Sequence, residues 1–533
     1  MGTSRREARS PSHRIKAAVC GALLCTALSI ALVAPSGAPA ANPGCSVKST
    51  SGTQTTYECN FSTGTIGGYE VRQWIDGAPN PLAGTGTENG YITHMETDIV
   101  DEGTGAQVPI SRLMLHHIVF LNAARQDSTC AGQGYLGFDN RKGYGNFAPQ
   151  RFYAAGEERA KMSMPPGYGY PIDQDDPWAV VAMVMNHRSN VDRALIHYEV
   201  TVDTADLTDV KPYWLDVRDC RADPIYNVPS VAQKAKKAKR GKKGRKAVAA
   251  KKQKKGKKKK KRKKRAAPTL NEARDYVIPE SGRLIAGAGH VHGGAVGLKL
   301  TEPNCGNREI ARSDPTWGNA DHPFYNVKPI LHEPGPINMS AFRSTTGLPV
   351  HAGETIRINS IYDNSLPHVR VMGILVAYLA PDSSVTQDCG PIPNWEVLKT
   401  DQPGRPGPIP FKIPLTGLDS AGQAIDINAP PGKIQKAGRN TVIPVGDRFF
   451  GLPNLRVKQG SWLTWQFNGS ELHNVTLANG PLGIGTDNLD GGRTFSQKLN
   501  RPGTYRLFCA LHPVQMQERV IVTPKKKAKK KRR

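Results

Sequence analysis

Near its C-terminus the chain carries Cys509-Ala-Leu-His512-Pro-Val-Gln-Met516, directly after a strand-like run Gly503-Thr-Tyr-Arg-Leu-Phe508. A further imidazole, His473, follows Ser461-Trp-Leu-Thr-Trp-Gln-Phe467. One thiolate, two imidazoles and one thioether are the donor set of a blue (type 1) copper site, in which Cys and two His form a trigonal plane and Met is the weak axial ligand. Three donors on one tight loop and the fourth on a neighbouring strand fix that geometry before any metal arrives.

The middle of the chain holds a second set. Leu115-His116-His117-Ile-Val-Phe120 places two imidazoles side by side, and Gly287-Ala-Gly-His290-Val-His292-Gly-Gly places two at alternate positions. Residues i and i+2 of a strand project from one face, so His290 and His292 can share a metal. His116 and His117 point to opposite faces of a regular strand, and joint ligation needs a twist, a bulge or different ring nitrogens. Met183-Val-Met-Asn-His187 and Val369-Arg-Val-Met372 stand in order between and after them.

Residues 441–524 resemble the plastocyanin/cupredoxin family, with His473, Cys509, His512 and Met516 at its ligand positions. Residues 70–382 resemble the copper type II, ascorbate-dependent monooxygenases, the family of peptidylglycine and dopamine hydroxylases. That resemblance implies two jelly-roll-like β domains, each holding one type 2 copper on a shared cleft. His116, His117 and His187 would form an electron-transfer copper, with His197 the rival third ligand. His290, His292 and Met372 would form the catalytic copper that meets dioxygen, and ascorbate or another external reductant would supply electrons. A thioether with two imidazoles favours Cu(I), whereas three imidazoles suit a centre that cycles between oxidation states. Peptide-amidating members carry an arginine and a tyrosine where this chain has Ala288 and Val376, which argues against a C-terminal glycine peptide. The small organic substrate is otherwise unnamed by the sequence. A competing reading is a non-catalytic copper or electron-transfer protein whose upstream domains are a scaffold.

The elements that must position these donors are strands: short β-like runs separated by Gly, Pro, Asn and Asp clusters, without long helical periods. The expected architecture is all-β, two jelly-roll-like β-sandwiches followed by a cupredoxin Greek-key sandwich. The expected divisions are a signal peptide at 1–40, a first β domain at 41–230, a Lys-rich linker at 231–268 and a second β domain at 269–384. A Pro/Gly-rich linker at 385–440, the cupredoxin at 441–524 and a basic tail at 525–533 complete the chain. The 48 residues of Pro391–Gly438 would let the blue-copper domain reach the cleft near His116 and His117.

Of the formal charge of +27, residues 234–265 supply 22 basic and no acidic side chains, and the last nine residues supply 8 basic ones. With the N-terminal 40 residues also set aside, the folded body is left at about −7, which points away from nucleic acid as a partner. The Lys tracts suit an anionic cell-envelope polymer or lipid. Arg5, Arg6, Arg9, Arg14 and Lys16 before the apolar run Ala17–Ala34, then Ala38-Pro39-Ala40, read as an export signal that predicts an extracellular or cell-surface protein. Without Cys20 and Cys25 of that signal, and with Cys509 assigned to metal, six cysteines remain. They admit 15 connectivities. Proximity alone favours Cys45–Cys59, Cys130–Cys220 and Cys305–Cys389.

Overall fold

Strand periodicity organises the molecule. In Leu195–Asp203 the side chains of Ile196, Tyr198, Val200 and Val202 are buried while His197, Glu199 and Thr201 are partly exposed, the period of two that a strand shows when one face meets a core. The computed structural model describes residues 44–131, 147–231, 268–327, 331–399 and 432–525, with a few residues between 404 and 430. The expected signal peptide, the body of the Lys-rich tract and the basic tail beyond Lys525 lie outside the described residues. The fold is all-β, as expected, with two short 3-10 turns.

The first sandwich opposes a seven-stranded and a four-stranded sheet. The smaller sheet, ordered Val71–Ala78, Trp178–Asn186, Leu113–Gln126, Pro149–Gly156, carries His116 and His117. The second sandwich opposes the five strands Lys211–Asp216, Gly373–Pro381, Gly282–Val291, Ala341–Val350 and Glu396–Leu398 to four others. His290 lies near the end of Gly282–Val291 and His292 just beyond it. In the third domain two sheets each contain a parallel pairing, Asn440–Gly446 with Trp462–Phe467 and Asn454–Lys458 with His512–Thr523.

The two sandwiches share one continuous hydrophobic core. Gly373–Pro381 is buried along its length except at Pro381, because the first sandwich covers the face that would otherwise meet water. Tyr378, in that strand, donates its hydroxyl hydrogen to the Phe152 carbonyl of the first sandwich at 2.9 Å.

The chain crosses between sandwiches earlier than the expected boundary at 230. Lys211–Asp216 pairs with Gly373–Pro381 along its whole length, since its apolar run Tyr213-Trp-Leu215 completes the second sandwich's sheet. The three expected disulfides form, and Cys130–Cys220 ties a loop of the first sandwich to the segment following that crossing strand. The Val231 amide donates to the Asn364 carbonyl at 2.9 Å and the Asn364 amide to the Pro268 carbonyl at 3.0 Å. The described residues on either side of the Lys-rich tract, which was expected as a linker between domains, are therefore both tied to Asn364 of the second sandwich.

The third domain docks through its loop Pro481–Asn488. Asn227 donates to the Gly485 carbonyl at 2.8 Å, Arg221 pairs with Asp487 at 2.6 Å, and Arg501 reaches Ser230 Oγ at 2.7 Å. Gly485 permits this approach: a Cβ there would lie 2.5 Å from Asn227 Oδ1.

Candidate metal centres

In the third domain, His473 Nδ1 and His512 Nδ1 stand 3.2 Å apart, and Cys509 Sγ is 3.9 and 3.8 Å from them. The chain positions this triangle by ending the strand Gly503–Cys509 in a tight reversal, so that Cys509 lies opposite His512 in the register. Met516, four residues beyond His512 in the strand His512–Thr523, is fully buried. The Asn474 amide donates to Cys509 Sγ at 3.4 Å, and Asn474 Oδ1 accepts from the Ala510 amide at 2.7 Å, which locks the ligand loop. Cys509 is the free cysteine among the described residues and is buried. Burial pushes its thiol pKa up, so a thiolate here calls for a cation beside it. Burial, then the neighbouring His473, holds His512 down to about 4, leaving its nitrogen free to donate at neutral pH.

The other imidazoles converge where the two sandwiches meet. The register of Leu113–Gln126 against Trp178–Asn186 shifts between Leu115 and His117. This bulge takes His116 out of alternation and brings His116 Nδ1 to 3.0 Å from His117 Nδ1. On the other side the alternation is regular, and His290 Nε2 lies 3.1 Å from His292 Nε2. The ring centroids of His116 and His292 are 5.0 Å apart. In all three pairs the nitrogen separations of 3.0 to 3.2 Å suit two ligands on one ion, since bonds of about 2.0 Å would then enclose roughly 100°. Burial foremost, with the surrounding histidines, holds His116 and His292 well below the ordinary imidazole range. Burial, then His290 and Arg370, holds His117 to about 3. His116, His117 and His292 are therefore neutral at pH 7 and able to donate lone pairs.

His290 and His292 are each fixed by the other ring nitrogen, as metal-binding imidazoles require. His290 Nδ1 donates to Glu158 at 3.0 Å. Burial would lower the pKa of His290, but the Glu158 charge and hydrogen bond raise it overall. His292 Nδ1 donates to the Arg370 carbonyl at 3.1 Å. Glu157 accepts from His332 Nε2 and from the Gly335 amide, and its Oε1 is 3.8 Å from His116 Nε2. Sequence reasoning missed Glu157, Glu158 and His332 as parts of the site. The acidic pair followed no recognisable spacing, and His332 reaches the cluster only through the packing of one sandwich on the other.

His187 is buried, its Nδ1 donates to the Ile110 carbonyl at 3.0 Å, and its Nε2 has no hydrogen-bond partner. Among the described residues, the group whose donor atoms all lie within 4.8 Å of one another around His116 contains Glu157 and His332, and not His187. An orphaned buried nitrogen is costly and suits a donor awaiting a cation. His197 stands on the other sheet, with Nδ1 2.9 Å from Asn60 Oδ1. Met372 is buried and lines the same cavity as His292, while its carbonyl accepts from the Tyr362 hydroxyl at 2.7 Å.

That cavity, of about 90 Å³, has walls from all three domains: His116, His117 and Met183 from the first sandwich, His292 and Met372 from the second, and Leu477, Phe508 and Ala510 from the third. Met114, Met183 and Met185 pack into the third domain's own hydrophobic cluster. The third domain thus closes the cleft it was expected only to approach.

The donor triangle, buried thioether and parallel-paired sheets define the third domain as a cupredoxin, a blue-copper class of protein. Residues 440–523 match the family described as copper binding proteins, plastocyanin/azurin family, and through this domain the chain belongs to that family. Amicyanin-alpha of Methylorubrum extorquens is 36% identical over 87 residues, covering 16% of this chain and 71% of that protein. A novel purple cupredoxin from Nitrosopumilus maritimus is 22% identical, covering 16% of this chain and 99% of that one, with a TM-score of 0.15. A reduced Cu(I) form of an amicyanin mutant is 28% identical, covering 85% of its chain with the same TM-score of 0.15. Upstream, residues 183–382 match the family described as Stress up-regulated Nod 19. A Phoma sp. protein named "Probable copper-dependent oxygenase M1" is 29% identical over 140 residues, 25% of this chain. The chain spans 33% of that relative's length.

Proposed function

We propose that the chain is an exported, extracellular or cell-surface copper-dependent monooxygenase, in which two type 2 copper sites hydroxylate a C–H bond of a small organic substrate with dioxygen and a covalently attached blue-copper domain handles electrons. The observation that carries this reading is the meeting of His116 and His117 with His292 and Met372 around one cavity at the joint of two sandwiches, with His290 against His292. The similarity to the Phoma oxygenase supports it. Copper bound by these donors would supply one-electron chemistry and an open position for dioxygen.

The protein's own residues keep the site ready for that chemistry. Glu158 and the Arg370 carbonyl hold the Nδ1 hydrogens of His290 and His292, so both Nε2 atoms face the shared position. The Tyr362 hydroxyl accepts from the His292 amide at 2.9 Å and donates to the Met372 carbonyl, which couples the placement of the imidazole to that of the thioether. Ascorbate or another external reductant would supply the electrons. The Lys-rich segments would hold the protein to an anionic envelope polymer or lipid.

The test is copper stoichiometry with spectroscopy. The purified protein should bind three coppers, one with intense thiolate-to-copper absorption and two with weak type 2 signals. A single copper, lost altogether in Cys509→Ser, would overturn the reading. Met372→Ala should impair turnover while leaving the blue absorption intact.

A further inference from the structure

We infer that electrons leave the blue-copper domain through Asn474, Asn488 and Arg370, and that this route delivers them to the His290–His292–Met372 centre rather than to His116 and His117. The inference rests on the copper reading above and deepens it by naming the route and its destination.

Four contacts join the two centres. The Asn474 amide donates to Cys509 Sγ at 3.4 Å, and Asn474 Nδ2 donates to Asn488 Oδ1 at 2.9 Å. Arg370 Nη2 donates to the same Asn488 oxygen at 3.2 Å, and the Arg370 carbonyl accepts from His292 Nδ1 at 3.1 Å. Every link is a hydrogen bond or a covalent bond, with no through-space gap between the thiolate ligand and an imidazole of the second sandwich. Asn474, Asn488 and His292 are all buried, which keeps the route free of competing solvent.

Arg370 is built to face two ways. It lies at positive φ, 52°, a region that costs a residue with a Cβ conformational energy and persists only where surrounding contacts hold it. Those contacts are its amide, donating to Asn227 Oδ1 at 3.1 Å, and its guanidinium, which reaches the Thr486 carbonyl and lies 3.5 Å from Asp223. The turned backbone aims the carbonyl at His292 while the side chain enters the cupredoxin loop.

A branch toward the other centre also begins at Asn488. Its Nδ2 donates to Gln73 Oε1 at 3.2 Å, and Gln73 Nε2 contacts Met183 Sδ at 3.5 Å. Met183 is the cross-strand neighbour of His117, but its thioether is a weak acceptor, which makes this the weaker branch. The Arg370 branch ends on a ligand ring itself.

The step is a single-electron transfer. Copper held by His473, Cys509 and His512 would be oxidised from Cu(I) to Cu(II) as copper held by His290, His292 and Met372 is reduced from Cu(II) to Cu(I), with no bond made or broken in the protein. Arg370 and Asn488 are positioning residues in it.

The experiment uses the full copper-loaded chain under anaerobic conditions. The blue site is reduced by a flash-generated reductant, and its reoxidation is followed by absorbance, with the type 2 signals followed by rapid-freeze EPR. Asn488→Leu and Arg370→Lys should slow the internal transfer by at least an order of magnitude while copper content and the blue spectrum stay as in the parent. Gln73→Leu should leave the rate nearly unchanged. Slowing by Gln73→Leu alone, or unchanged rates in both Asn488→Leu and Arg370→Lys, overturns the route. Should either of the latter two lose copper, the remaining one decides. Absence of copper at His290 and His292 in the parent would instead overturn the oxygenase reading on which the route depends.

Discussion

The cupredoxin centre and the histidine cleft are made of similar donors held in opposite ways. Cys509, His512 and Met516 lie within eight residues on one strand reversal, and His473 is their neighbour in the same small sandwich. The cleft draws its imidazoles from strands more than 170 residues apart in sequence, on two sandwiches that must first pack together. A site within one domain is preorganised by that domain's own core. A site at a joint inherits the stability of the joint.

The sharpest break in this comparison is Cys509→Ser, which should abolish the thiolate-to-copper absorption completely while copper at the histidine pairs remains, as metal analysis with EPR would record. The converse experiment removes Cys130–Cys220, which closes a 90-residue separation and pins the crossing segment. Replacing both by Ala should destabilise the paired sandwiches by about 2–4 kcal/mol and weaken copper at the cleft, with the blue absorption unchanged. Denaturant titration followed at both signals would check this, and parallel loss of both would show that the third domain shares the joint's stability.

Smaller effects refine the picture. Glu158→Gln should lower copper affinity at His290 and His292 by roughly 10–100-fold, measured by competitive chelation, without touching the blue site. Asp216, at the end of the crossing strand, is pushed up to about 6 by burial, against the opposing pull of Arg151. Between about pH 4 and 6 the folded protein therefore holds a proton that the unfolded chain has released, so this group's contribution to stability falls as pH rises through that window. Asp216→Asn should flatten the dependence by up to about 1.4 kcal/mol per pH unit, read from unfolding midpoints. Least of all, shortening the Lys-rich tract should change stability by only about 0.6 kcal/mol per halving of its length and leave copper content alone, while retention on anionic vesicles weakens at low salt.

The same contrast explains what could be read in advance. The all-β fold, the cupredoxin ligands and the disulfides follow from local spacing and the count of cysteines. That joint ligation by His116 and His117 needs a twist, a bulge or different ring nitrogens was also readable, because a regular strand cannot point both rings one way, and the register shift at His117 supplies a bulge. Glu157, Glu158, His332 and Arg370 were not readable as site residues, because no local pattern marks a residue whose role arises when two sandwiches pack. The strand Lys211–Asp216 was assigned to the first domain for a related reason: its apolar run looks the same whichever sheet it completes.

The pinning of Val231 and Pro268 to the two sides of Asn364 bears on how the protein would survive being cut. A trypsin-like protease finds its richest run of cleavage sites between those anchors, at the 22 basic residues of 234–265. Cleavage there would yield two polypeptides rather than two separated domains. The N-terminal fragment keeps Lys211–Asp216 as the edge strand of the other fragment's sheet, together with the Asn227 and Ser230 contacts to the cupredoxin. Nicked protein should therefore migrate as two bands under denaturing conditions and as one particle in native gel filtration, so that the two pieces expressed separately form a complementing pair.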